Sequence, residues 1–81
     1  MWSEFYAARI KRNISLQVWY EALISRNDAL LKVKEVNGTA AMEEALQQLA
    51  LKETTLLEKA AERDQDLAVF KRIGFHFPRD A

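Results

Sequence analysis

Two charged residues, Arg26 and Glu53, occupy positions where the surrounding pattern calls for apolar side chains. Leu16, Trp19, Leu23, Arg26, Leu30 and Val33 follow at intervals of 3, 4, 3, 4 and 3. Met42, Leu46, Leu49, Glu53, Leu56, Ala60, Arg63, Leu67 and Phe70 follow at 4, 3, 4, 3, 4, 3, 4 and 3. A cation and an anion on two such seams allow two kinds of chemistry. Joined by Arg12 and Arg63, they could hold an anionic metabolite between helices, as small all-helical enzymes do. Alternatively they face each other as an ion pair that sets the register of the helices. The second reading is preferred, because continuous heptads leave little room for a substrate cavity.

Other catalytic signals are sparse. His76 is the single histidine, with Asp80 its only nearby ligand type, and the chain has no cysteine. One histidine without a second histidine or a thiolate is a poor metal site. The two glycines, Gly38 and Gly74, are too far apart to form a phosphate-binding loop. No cofactor is expected, and the expected class is non-enzymatic.

The two ends of the chain are richer. Trp2, Phe5, Tyr6 and Ile10 lie near one terminus, and Phe70, Ile73, Phe75 and Phe77 near the other. Arg9, Lys11, Arg12, Lys71, Arg72 and Arg79 lie in the same two segments, against Glu4 and Asp80. If folding joins them, an aromatic and locally basic end results. Aromatic rings beside arginine are typical of protein-binding hot spots. They also suit single-stranded nucleic acid or an anionic membrane. The simplest alternative is a small satellite core that ties the ends together. The expected partner surface is Trp2, Phe5, Tyr6, Arg9, Arg12, Phe70, Arg72, Phe75 and Phe77.

The elements that must position these residues follow from composition and spacing. Eighty-one residues suffice for one small domain. Twelve basic and twelve acidic residues cancel, which argues against a protein built chiefly to neutralise nucleic acid. Ala, Leu, Glu, Lys, Gln and Arg dominate, all good helix formers. Asn37-Gly38-Thr39 interrupts them near the middle. Gly38 suits the left-handed residue that ends a helix, and Thr39 suits the cap of the next. Glu43 and Glu44 then sit at the positive end of the second helix dipole. Two long helices are expected, over roughly 3–37 and 40–73, with a non-helical tail over 74–81 set off by Gly74 and Pro78. A break near Asn13-Ile14-Ser15 is allowed for, because Ser15 could cap a fresh start, making 1–14 a short separate helix.

Folding at the turn makes facing residue numbers add to a constant. A sum of 79 pairs Val33 with Leu46, Leu30 with Leu49, Leu23 with Leu56 and Trp19 with Ala60. It also pairs Arg26 with Glu53. The fold class expected is all-α, an antiparallel helical hairpin in one domain over 1–81. Its apolar face is wider than one seam needs: Tyr20, Ile24 and Leu31 lie on one flank, Val18, Ala22, Ala29 and Val36 on the other. Dimerisation into a four-helix bundle would cover it, as would a partner helix or a folded-back first segment. The expected function is a protein–protein interaction module: adaptor, regulator, inhibitor or assembly subunit. The alternatives are the small enzyme and the nucleic-acid or anionic-membrane binder. No apolar run approaches the roughly 20 residues that span a bilayer, and charges at Glu4, Arg9, Lys11 and Arg12 break up any leader sequence. A cytoplasmic location is expected.

Overall fold

Helix-forming residues on either side of Asn37-Gly38-Thr39 produce two long helices in the computed structural model, which describes residues 2–76 and the side chains of 3–74. Helix α1 spans Trp2–Glu35 and α2 spans Met42–His76. They pack antiparallel as an all-α hairpin, a rod 61 Å long and 15 Å across. Its radius of gyration is 18.1 Å, against about 12 Å for a compact chain of this length.

The turn is built as its residues dictate. Gly38 has a φ of +78°, the left-handed conformation that a Cβ disfavours. Thr39 donates its hydroxyl to the carbonyl of Val36 at 2.6 Å. The amide of Ala41 donates to Thr39 Oγ1 at 3.3 Å, the contact of an N-cap. Met42 and Ala45 then donate to the carbonyls of Thr39 and Ala41, which starts α2. Glu43 and Glu44 lie in its first turn.

Two expectations about the helices need correction. Residues 13–15 carry no break, and α1 runs through them. Nor does the non-helical tail start at Gly74, because α2 continues through Gly74 and Phe75 to His76. Glycine in a helix costs only about 1 kcal/mol relative to alanine, and here the last turn of α2 lies against Phe5. A Cβ at Gly74 would meet Phe5 Cε2 at 3.6 Å, an ordinary contact. Gly74→Ala is therefore expected to raise unfolding free energy by roughly 0.5–1 kcal/mol. Urea denaturation checks it, and a loss of stability would show that Phe5 cannot accept the methyl group. The rest of the expected tail, 77–81, lies outside the described residues.

Small residues hold the most buried positions. Among the described residues only Ala8 and Ala45 are buried, at 8% and 7% exposure. The inner positions of α1 run Phe5, Ala8, Arg12, Ser15, Trp19, Ala22, Arg26, Ala29 and Val33, and Val36 in the turn continues them. In α2 they run Met42, Ala45, Leu49, Leu56, Lys59, Arg63, Asp66, Phe70 and Ile73. Both series keep heptad spacing, and the position of α2 at Lys52 is exposed. Cross-helix contacts bracket the predicted sum of 79: Lys11 with Asp66 gives 77, Ser15 with Asp66 gives 81, and Trp19 with Arg63 gives 82. Matching the two heptads position by position gives 78. The seam is thus turned slightly from the expected one, with Ala45 inside and Leu46 left 45% exposed.

Candidate functional site

The open end of the hairpin gathers the aromatic and basic residues that the sequence pointed to. Phe5 on α1 meets Phe70 on α2, ring centroids 5.3 Å apart and planes tilted by 41°. Tyr6 stands edge-on to Phe5 at 5.6 Å. Arg12 lays its guanidinium over Phe70, 4.3 Å from the ring centroid, and donates through Nε and Nη2 to Asn13 Oδ1 at 3.1 and 2.7 Å. Phe5, Tyr6, Arg12 and Phe70 therefore form one cluster, in which Phe5, Arg12 and Phe70 are half-buried. Arg9 and Arg72 are exposed. Trp2 and Phe75 lie on the two helices, but their side chains are outside the described set, and Phe77 lies outside the described residues.

One turn inward, Ser15 donates its hydroxyl to Asp66 Oδ2. Lys11 Nζ approaches the other carboxylate oxygen of Asp66 at 3.6 Å. The Asp66 side chain is only 11% exposed. The next layer repeats the first in reverse: Arg63 stacks over Trp19 at 4.3 Å and donates to Asp64 Oδ1 from Nε and Nη2 at 3.0 and 2.9 Å. In each helix an arginine precedes an aromatic residue by seven positions, Arg12 before Trp19 and Arg63 before Phe70. Antiparallel packing crosses these pairs, so each arginine covers the other helix's ring, with Ser15 and Asp66 between them. The sequence reading took Trp19 to face Ala60 and did not see this arrangement. The repeated arginine–aromatic spacing was the available signal.

Arg26 and Glu53 do not form the expected ion pair. No hydrogen bond or salt bridge joins them, and Glu53 is exposed. Their register is right, but the rotation of α2 is not the one assumed. The inner position opposite Arg26 is Lys52, and the next residue along a helix points about 100° away. Arg26 is half-buried, and its Nε is enclosed without a hydrogen-bond partner. Among the described residues it is the one buried side-chain nitrogen or oxygen left unsatisfied.

The hairpin has two unlike flanks. Four residues after alternate inner positions of α1 stand Arg9, Leu16, Leu23 and Leu30; the same step in α2 gives Leu46, Glu53, Ala60 and Leu67. An antiparallel pair brings these rows to one side. Tyr20 and Leu57 continue that side outward, Leu57 at 72% exposure. The opposite flank carries Lys11, Ser25 and Lys32 from α1 and Gln48, Thr55 and Glu62 from α2, with Val18 and Val69 among them. The first flank is therefore the more apolar of the two, although Ile14 and Leu51 are also exposed beside the second and Ile24 and Leu31 on the outer face of α1.

A shallow recess lined by Lys11, Glu62, Gln65 and Asp66 opens on the polar side. No cluster of three or more metal-ligating side chains occurs among the described residues. Among the described residues no helix is long and apolar enough to cross a membrane. Comparison with protein-family models, curated proteins and solved structures finds no match.

Proposed function

We propose that the chain is a non-enzymatic interaction module whose first partner is a second copy of itself. Two hairpins join through their apolar flanks into a four-helix bundle. One observation carries this reading: among the described residues only two alanines are well buried, while Leu16, Tyr20, Leu46 and Leu57 remain exposed on one side. A lone hairpin leaves those side chains in water, where each fully buried leucine would contribute about 1.5–3 kcal/mol. A chain with so small an interior gains most from association.

The arginines favour this reading over an enzyme that binds an anion between helices. Arg12 and Arg63 already lie on ring faces and donate to Asn13 and Asp64. At the open end, the exposed Arg9 and Arg72 beside the Phe5–Phe70 cluster supply the polar rim and aromatic centre of a second, protein-docking surface. A cytoplasmic site of action belongs to the same proposal.

Sedimentation equilibrium on the whole chain tests it. The expected mass is twice 9.4 kDa at micromolar concentrations. Leu57→Glu touches a side chain that the single hairpin leaves exposed, so it should shift the mass toward monomer. A monomeric parent chain, or an undisturbed dimer in the variant, would overturn the reading.

A further inference from the structure

Charge on the apolar flank constrains how two copies meet. Between residues 16 and 30 of α1 the row is Leu16, Leu23 and Leu30, and in α2 it is Leu46, Glu53, Ala60 and Leu67. Glu53 is the one charge among these seven side chains. Covering the flank takes its carboxylate out of water, which is costly unless a cation meets it. Within its own hairpin, among the described residues, Glu53 forms no ion pair, and it lies exposed. Arg26 has the complementary defect: a buried Nε that donates to nothing.

We infer that Arg26 and Glu53 pair between two copies of the chain, Arg26 of each with Glu53 of the other, across the joined apolar flanks. The inference rests on the dimer proposed above and specifies its arrangement. In the hairpin register Glu53 lies level with residue 25, and so with Arg26. A second copy with its turn at the same end, placing its α2 against this α1, keeps that level. A twofold axis along the rod then makes the contact twice. The same stacking sets the Leu16, Leu23 and Leu30 row between the levels of Leu46, Ala60 and Leu67, so the side chains interleave. Arginine suits the role, because its long stem can lie along apolar surface while its planar head takes a carboxylate in two bonds.

Mixing oppositely charged variants separates this pairing from any within one chain. Arg26→Glu alone sets two carboxylates together at each contact, and Glu53→Arg alone sets two guanidinium groups together. Each variant by itself should dimerise with a dissociation constant raised on the order of a hundredfold. An equimolar mixture restores both contacts and should give a one-to-one heterodimer by native mass spectrometry, with helix content recovered to the parent level. A mixture no better associated than its components would overturn the inference. So would single variants that dimerise as tightly as the parent, although the dimer itself would then stand. A parent chain that is monomeric removes the dimer first and this pairing with it.

Discussion

Trp19→Ala is expected to lower unfolding free energy by about 3 kcal/mol, one of the two largest losses from a single truncation in the seam. The indole is half-buried, so the cost lies at the low end of the range for tryptophan. Two terms add to it. The ring area returned to water is the larger, and the lost seat of Arg63, 4.3 Å above the ring, is the smaller. Arg63→Ala alone should cost roughly 1 kcal/mol, since Asp64 is exposed and tolerates the loss of its donor. A double-mutant cycle on the pair should give a coupling of about 1 kcal/mol. Trp19→Phe keeps a ring face beneath the guanidinium and should retain most of that coupling. Urea unfolding at fixed protein concentration reads all four. A Trp19→Ala loss below about 1 kcal/mol would show that this layer does not hold the seam together.

The second large effect concerns two neighbouring residues with opposite expectations. Ala45 is buried against α1, at 7% exposure, whereas Leu46 is 45% exposed. Ala45→Leu should cost about 2 kcal/mol, because three added carbons force the helices apart. Leu46→Ala should leave the folding of a single hairpin nearly unchanged and instead weaken association. If Leu46 were the inner residue, the order would reverse: Leu46→Ala would cost 2 kcal/mol or more, and Ala45→Leu would be nearly silent. Denaturation below the association threshold, set beside sedimentation above it, separates the two arrangements.

Leu46 also shows where the sequence misleads. The turn was legible from Gly38 and Thr39, whose backbone geometry few other residues satisfy, although α1 ends at Glu35 and α2 starts at Met42, each two residues short of the expected 37 and 40. The helices and their register were legible from heptad spacing and the position of that turn. Which of two adjacent rows lies innermost was not legible. Hydrophobicity ranks Leu46 above Ala45, yet Ala45 is the buried member of the pair. A stripe wide enough for two contacts does not say which is made within the chain. Arg26 and Glu53 were misread for the same reason, as a small rotation separates them without altering their level. The helix end was misread because Gly74 reads as a stop in isolation, whereas packing against Phe5 carries the helix past it. The nearness of Phe5, Tyr6, Arg12 and Phe70 was legible, since the topology alone brings these four together.

The constant sum of facing residue numbers has a kinetic meaning. Each successive layer outward from Gly38 joins residues only about six or eight further apart along the chain than the layer inside it. Once the six-residue connection has formed, every later layer closes almost no additional loop, because the layer before it already holds the strands of chain together. The hairpin should close like a zipper from the turn, with the crossed arginine–aromatic layers among the last teeth to engage. Opening would then begin at the far end, where the aromatic-basic cluster sits. The region proposed to meet another protein is thus also the part of the rod that comes apart most readily.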